Sequence, residues 1–186
     1  MILGAIGAAL VVLLVFLISW SIMAYNNFVR TDALAQEGWS GVDVQLKRRY
    51  DLIPNLVAVV KQYATHEKET LERVISMRSI SAGATDINQI AKAEAGLTQA
   101  LKTLFAVAES YPDLKANQNF LSLQKDLGDI EHEVQLARRY YNGAVRNYNV
   151  LVDVFPSNMI AKFASFQRRP YFEMEDGERQ APRVQF

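Results

Sequence analysis

The sequence predicts an all-α protein, in which an N-terminal transmembrane helix continues into a long antiparallel up-down four-helix bundle. Three observations support this prediction. The first 24 residues contain no charged side chain, the following segments repeat apolar residues every three or four positions, and prolines or loop-forming residues separate these segments. We expect three regions: an anchor at 1–24, a helical bundle at 25–171 and a flexible C-terminal tail at 172–186.

The uncharged segment is long enough to cross a bilayer. At about 1.5 Å per residue it spans roughly 36 Å, whereas the hydrocarbon core is about 30 Å thick. A cleaved signal peptide is the alternative, but it needs a basic start, a shorter apolar run and a small-x-small cleavage site. Ser19-Trp20-Ser21 is a poor site of this kind. We therefore expect a retained anchor, with Trp20 and Tyr25 at the membrane interface.

The distribution of Lys and Arg predicts the orientation. None precedes the apolar segment, whereas Arg30 and the cluster Lys47-Arg48-Arg49 follow it. Because cytoplasmic flanks carry the excess of positive charge, we expect a single-pass protein of the inner (plasma) membrane whose bundle faces the cytoplasm.

Composition excludes several classes of protein. Twenty Lys and Arg balance twenty Asp and Glu, so the basic surface of a nucleic-acid binder is absent. The sequence contains no cysteine, which excludes disulfides, thiolate metal sites and lipid-modified cysteines. About 160 residues follow the anchor in this chain of 186, enough for one domain with a hydrophobic core.

The first helix of the bundle is expected to leave the bilayer without a break and to continue to Ile53. Gly38 and Gly41 are the expected place of a gentle bend. Pro54 is expected to end this helix, since the residue before a proline avoids the α region. Arg49 falls on the inward face, so we expect a carboxylate or carbonyl partner for it.

The remaining elements are shorter or end at prolines. They are expected in this order: a helix at 55–78, a loop at 79–85, a helix from the N-cap Asp86 to Pro112, a helix from 116 or 117 to Pro156, and a short helix at 158–166. Since the first and fourth helices are the longest, one end of the bundle is expected to be two helices thick.

No catalytic constellation is visible in the sequence. The two histidines lie on different predicted helices and lack the Glu-x-x-His pairs of a di-iron bundle, and neither begins a zinc-protease motif. We therefore predict no catalytic residue, no metal site, no cofactor and no enzymatic activity. The alternative is a metal-binding or enzymatic bundle with a site drawn from Asp51, His66, Glu67, Asp129, His132 or Glu133.

Polar and aromatic residues are concentrated near the predicted helix junctions. These clusters lie at 48–57, 111–117, 138–142, 148–149 and 155–158. We interpret them as caps, junction hydrogen bonds and core ion pairs. A partner-binding surface is the alternative interpretation.

The same segments carry a resemblance to the LemA family of bacterial membrane proteins. The similarity extends from 25 to about 171 and is densest at 48–57, 111–120 and 138–158. It implies a single N-terminal membrane helix that leads into a long helical bundle, and it supplies no enzymatic activity and no catalytic residues. It also implies a link with membrane protein quality control beside HtpX-type membrane zinc proteases, and it includes a relative in magnetosome membrane formation.

The expected function is that of a non-enzymatic, membrane-anchored scaffold or adaptor. Its expected partners are the lipid bilayer, further copies of the chain and a membrane protein such as an HtpX-type protease; nucleic acid is not among them. Small residues at helical spacing in the anchor favour self-assembly. Those residues are Gly4, Ala5, Ala8 and Ala9. Aromatic residues near the C-terminal end also support a scaffold; they are Phe163, Phe166, Tyr171 and Phe172.

Overall fold

The computed structural model describes residues 2–173, and in this part of the chain every regular element is an α-helix. Six helices follow one another there: α1 (Ile2–Tyr63), α2 (Lys68–Gly83), α3 (Ile87–Ala108), α4 (Pro112–Lys115), α5 (Gln118–Asp153) and α6 (Ser157–Phe163). The predicted all-α fold with an N-terminal apolar helix is confirmed.

The apolar segment and the first helix of the bundle form one element, α1, of 62 residues. Among the described residues, one helix is long and apolar enough to cross a membrane, and it is this one. Its side chains from Ile6 to Ile18 are exposed, whereas Phe28 is fully buried against α5 and α6. Contacts with the other helices therefore begin immediately beyond the apolar segment.

Pro54 lies inside α1, so the prediction that it ends the helix is wrong. Because proline has no N–H, the carbonyl of Tyr50 loses its usual donor four residues later. The Nε of Arg78, on α2, donates to this carbonyl instead at 3.2 Å. This bond from a neighbouring helix satisfies the carbonyl and allows α1 to continue to Tyr63.

The first reversal of the chain lies at 64–67, which was predicted to be the middle of a helix from 55 to 78. Two hydrogen bonds of 2.9 Å close this end of the bundle, from the Tyr111 hydroxyl to Glu67 and from the Asn117 side chain to the Tyr63 hydroxyl. These contacts agree with a structural use of the polar cluster at 111–117.

The second reversal is shorter than the predicted loop at 79–85, because α2 continues to Gly83. Asp86 caps α3 as predicted, and its carboxylate accepts hydrogen bonds from the backbone N–H groups of Asn88 and Gln89. Asn117 caps α5 in the same way through the N–H of Phe120.

Helices α1 and α5 run antiparallel along nearly the full length of α5. Three contacts occur in opposite order along the two helices: Tyr63 with Asn117, Arg49 with Glu131, and Phe28 with Tyr148. Helices α2 and α3 lie against the distal part of α1, where they reach Tyr50 and Arg49. This arrangement is consistent with the predicted four-helix bundle and with an end that is two helices thick.

Gly38 lies where α1 packs tightly against the backbone of α5. A Cβ atom at this position would lie 3.0 Å from the Cα of Tyr141, whereas a Cβ on Gly41 would meet nothing within 4 Å. Gly38 therefore allows close helix packing within a continuous α1.

After α6 the chain is extended and returns along α1 and α5. Phe172, which the sequence assigned to the tail, is 1% exposed in the hydrophobic core. Phe172, just past the predicted boundary at 171, thus packs with the bundle, and residues 174–186 of the predicted tail lie outside the described residues.

Candidate functional site: the groove between α1 and α5

A buried ion-pair cluster joins three helices in the distal half of the bundle. The Arg49 guanidinium lies 2.9 Å from Glu94 of α3 and 2.9 Å from Glu131 of α5, and it donates to Thr98 at 2.9 Å. Arg49 is 4% exposed and Glu94 is 1% exposed. The expectation that Arg49 faces inward and finds a carboxylate is confirmed.

Tyr50 completes this cluster. Its hydroxyl donates to Glu94 at 2.6 Å. Burial, and then the adjacent Glu94 carboxylate, raise the pKa of Tyr50 far above its ordinary value, so the phenol remains a hydrogen-bond donor. One guanidinium and two carboxylates thus link α1, α3 and α5, with Glu131 at the partly exposed edge of the cluster.

The polar cluster at 138–149 binds the extended C-terminal segment 166–173, which we call the strap. Asn149 accepts from the N–H of Arg169 at 2.9 Å and donates to its carbonyl at 3.0 Å. Asn142 pairs with the backbone of Phe172 in the same manner, at 2.9 and 3.1 Å. The two asparagines are two helical turns apart on α5, so their amides follow the extended backbone of the strap.

The strap is also fixed to α1. The Arg169 guanidinium makes a two-point contact with Asp32, with Nη2 at 2.9 Å from the carboxylate, and lies 5.9 Å from the ring centre of Tyr148. This hydrogen bond lowers the pKa of Asp32. Phe172 packs beside Trp39, with ring centres 5.9 Å apart. For these residues the structural interpretation of the polar clusters is confirmed.

The residues of the alternative metal or catalytic site are only partly brought together. Asp51, Asp129 and Glu133 line one depression between α1 and α5. His66 lies in the distal loop and His132 is exposed on α5, while Glu67 accepts the hydrogen bond from Tyr111. Within residues 2–173, no group of three or more His, Asp or Glu side chains is arranged to hold a metal ion.

The depression is part of a longer groove along the seam of α1 and α5. Two sections, of about 480 and 450 Å³, share Glu133. From α1 the lining residues are Glu37, Gly38, Gly41, Gln45, Arg48, Asp51 and Leu52, and from α5 they are Asp126, Asp129, Ile130, Glu133, Leu136, Ala137 and Tyr140. We call this surface the seam groove.

The seam groove combines an apolar floor with an acidic rim. Leu52, Ile130 and Ala137 are partly or fully buried in the floor. Five carboxylates and one guanidinium, that of Arg48, belong to the lining residues. At the end nearer the apolar segment, Tyr140 is 51% exposed and its ring lies against Gly38, while Gly41 leaves open space. Such a surface can bind an apolar segment that carries positive charge.

Sequence reasoning did not identify the groove, although a signal for it exists. On α1, the residues at 38, 41, 45, 48 and 52 recur every three or four positions, which places them on one face beside the core stripe. Because that face is polar or lacks side chains, it reads as an ordinary solvated surface. The pairing with α5 is what turns it into a concave site.

Comparisons with known proteins agree with the resemblance. The sequence model described as the LemA family matches residues 38–186, a range that includes the Arg49 cluster, the strap and every lining residue of the seam groove except Glu37. Magnetosome protein MamQ 1 of Paramagnetospirillum magneticum is 27% identical over 178 residues, which cover 82% of this chain and 65% of that protein. This chain therefore spans about two thirds of the length of that relative.

Two further relatives have similar sequence identity and coverage. Magnetosome protein MamQ of Magnetospirillum gryphiswaldense is 27% identical over 185 residues, covering 86% of this chain and 68% of the relative. Protein LemA of Metamycoplasma hominis is 25% identical over 158 residues, covering 83% of this chain and 71% of the relative.

Proposed function

The chain belongs to the LemA family, and from this premise we propose that it is a non-enzymatic, membrane-anchored scaffold or adaptor that holds a membrane partner in the seam groove. Two relatives named as magnetosome proteins agree with a membrane-associated role. We place the chain in the inner membrane as a single-pass protein with its bundle in the cytoplasm.

The observation that carries the proposal is that the anchor and one wall of the groove are the same helix. The groove residues of α1, from 37 to 52, follow the end of the apolar segment by 13 to 28 positions. At about 1.5 Å per residue, they stand roughly 20 to 40 Å beyond it along the helix. A partner in the groove is therefore held at a defined distance from the bilayer.

The chemistry of the groove selects the kind of partner. Its acidic rim and apolar floor suit an amphipathic segment with Lys or Arg at its edges. Membrane proteins carry an excess of Lys and Arg in their cytoplasmic flanking segments, on the side where we place this bundle. An HtpX-type protease, suggested by the family resemblance, is one candidate partner, and self-assembly through the small residues of the anchor is a second part of the proposal.

The alternative of a metal-binding or enzymatic bundle has weaker support. The carboxylates of Asp51, Asp129 and Glu133 are exposed and share their depression with Arg48, whose charge opposes a bound cation. Neither histidine joins them. Stoichiometric iron, manganese or zinc in the purified full chain would favour this alternative over the scaffold.

A photo-crosslinking experiment tests the scaffold function. A benzophenone amino acid replaces Tyr140 in the groove of the full chain, and a matched control places it at Ile75 on α2, which has a similar exposed fraction of 48%. After irradiation in the native membrane, we expect adducts from position 140 that mass spectrometry identifies as a membrane protein or a second copy.

Charge reversal links these adducts to the groove. Asp129→Lys with Glu133→Lys should abolish the adducts from position 140, whereas Glu69→Lys with Glu72→Lys on exposed positions of α2 should leave them unchanged. Equal adducts from positions 140 and 75, or none from either, would contradict the scaffold function.

A further inference from the structure

The short helix α6 presents large apolar side chains to the outside. Phe155, Met159 and Phe163 are 79%, 61% and 91% exposed. Met159 and Phe163, four residues apart, lie on one side of α6, and Phe155 is exposed in the turn before it. The opposite side of α6 is used for packing, because Ala161 is buried and Ile160 contacts the cluster around Phe28. Helix α6 therefore has one apolar face inside the protein and another that the protein leaves uncovered.

This uncovered face lies level with the end of the apolar segment of α1. Ile160 and Phe163 line an apolar depression together with Ser21, Ile22 and Tyr25. The ring of Phe166 lies just beyond, 5.6 Å from that of Tyr25 and stacked on Phe28 at 4.7 Å. The exposed surface of the apolar segment thus continues without interruption onto α6.

Charged groups border the apolar face as they do on helices that lie at a membrane surface. Lys162 is exposed next to Phe163, and Arg168 is exposed on the strap, 3.8 Å from Asp153. Helices with apolar residues on one side and basic residues at the edge bind at the boundary between headgroups and acyl chains. Long basic side chains there can extend to the phosphates.

We propose that the exposed face of α6 formed by Met159 and Phe163, with Phe155 of the preceding turn, lies in the interfacial layer of the same bilayer that α1 crosses. The proposal rests on the membrane anchoring in the proposed function and adds a second contact with the lipid. The lipid is the expected occupant because the face continues the surface of the apolar segment at the depth where that segment leaves the hydrocarbon. With α1 and α6 both in contact with lipid, the tilt of the bundle is set by two points.

Single-cysteine labelling tests this placement directly, since the chain has no cysteine of its own. The full chain is reconstituted in vesicles of phosphatidylcholine and phosphatidylglycerol with a nitroxide at Met159→Cys or Phe163→Cys. Leu121→Cys, at an exposed distal position of α5, is the aqueous reference, and Leu14→Cys in the apolar segment is the lipid reference. Power-saturation EPR compares collisions with oxygen, which concentrates in lipid, and with a water-soluble nickel chelate.

We expect the labels at 159 and 163 to collide more with oxygen than with nickel, as at position 14 but at shallower depth, and the label at 121 to show the reverse. Nickel-accessible labels on α6 with a lipid-exposed label at 14 would overturn the proposal and leave the anchor intact. Nickel-accessible labels at 14 as well would overturn the anchor itself.

A second copy of the chain is the competing occupant. In that case labels at 163 would be shielded from both reagents and would broaden one another, and dilution with unlabelled chain would remove the broadening; this outcome also overturns the proposal. Since the substituted side chains are exposed, helical content measured by circular dichroism should match that of the unlabelled chain.

Discussion

Arg49 and Glu94 show at the scale of single residues how the bundle is held together. Removing two charges from water is costly, and the cost is recovered only when each charge is fully paired. Here the guanidinium contacts two carboxylates and a hydroxyl, and the phenol of Tyr50 donates to Glu94. The balance depends on every member, so losing one is expected to cost more than an exposed ion pair is worth.

We expect Arg49→Met to lower the free energy of unfolding by about 3 to 5 kcal/mol, because Glu94 is left buried without its partner. Urea unfolding of the full chain in mild detergent, followed by circular dichroism, measures this. The control Lys47→Met removes an exposed pair with Asp43 and should cost less than about 1 kcal/mol. If Arg49→Met were as mild as Lys47→Met, the cluster would not hold the helices together.

From the ion pair between Asp32 and Arg169 we predict that the free energy of unfolding depends on pH. The hydrogen bond from Arg169 holds the pKa of Asp32 below its ordinary value of 3.8. A carboxylate whose pKa is lowered in the folded state stabilises the protein at pH values above its ordinary pKa. This stabilisation is lost as the pH falls towards the pKa of the folded state. At neutral pH, Asp32→Asn should therefore be less stable than the parent chain by about 1 kcal/mol, a modest value because the pair is partly exposed.

Thermal unfolding from pH 7 down to pH 2 tests the sign of this effect. The difference between Asp32→Asn and the parent should persist from pH 7 to about 4 and shrink below it. The control is Asp153→Asn, since the carboxylate of Asp153 lies 3.8 Å from Arg168 at an exposed site. Its stability should differ little from that of the parent chain over the whole pH range. A difference that stays constant down to pH 2 would contradict the assignment.

The sequence predicted which way Arg49 faces and what kind of group it meets, but not which residues supply that group. Its position in the apolar stripe defines a direction, whereas Glu94 lies 45 positions away on another helix. Asn142 and Asn149 gave no specific signal either, because nothing periodic connects them to a strap 20 to 30 positions later. Local sequence patterns show which face of a helix is buried. Which residues from different helices contact each other becomes clear only in the folded chain.

At the scale of helices, Pro54 shows where a local rule fails. The rule that a proline ends a helix assumes that the carbonyl four residues earlier has no other donor. Arg78, 28 positions beyond Tyr50, supplies that donor from α2. The cap at Asp86 and the long α5 were predictable because periodicity and capping are local. The continuation of α1 through Pro54 and the reversal at 64–67 were not.

The two glycines of α1 provide a matched pair of variants. Gly41→Ala should stabilise the chain by up to about 1 kcal/mol, because alanine favours the helix and its Cβ has open space. Gly38→Ala gains the same propensity, but its Cβ would press on the backbone of Tyr141 at 3.0 Å, and Tyr141 is fully buried. Because overpacking costs about 1 to 3 kcal/mol, we expect no gain or a net loss.

Chemical denaturation of the two variants beside the parent chain measures the difference, which we expect to be roughly 2 kcal/mol. The control is Gly128→Ala on α5, where an added Cβ also meets nothing within 4 Å. Equal stabilisation by Gly38→Ala and Gly41→Ala would show that α5 can shift to accommodate a Cβ at position 38. The close packing at Gly38 would then not be required for stability.

For the whole molecule, the continuity of α1 relates the separate features to one another. This helix contains the apolar segment and one wall of the seam groove. It also carries the residues that contact α6 and, at Asp32, the strap. Helix α5 accompanies it from the distal loop to Phe28. If a partner binds in the seam groove and α1 crosses the bilayer, as we propose, a continuous pair of helices connects that partner to the membrane, without a linker.

This rigidity predicts a long and well-defined distance. Nitroxide labels at Met23→Cys and Gln62→Cys are separated by 39 positions on one helix, which corresponds to about 60 Å at 1.5 Å per residue. Pulsed dipolar EPR on the full chain in lipid nanodiscs should give a narrow distribution at this distance. Asn27→Pro, which removes an N–H from α1 below most of its contacts with α5, should broaden it. A broad or markedly shorter distribution in the parent chain would indicate a hinge, with Gly38 and Gly41 its natural position, and the bundle would then move independently of its anchor.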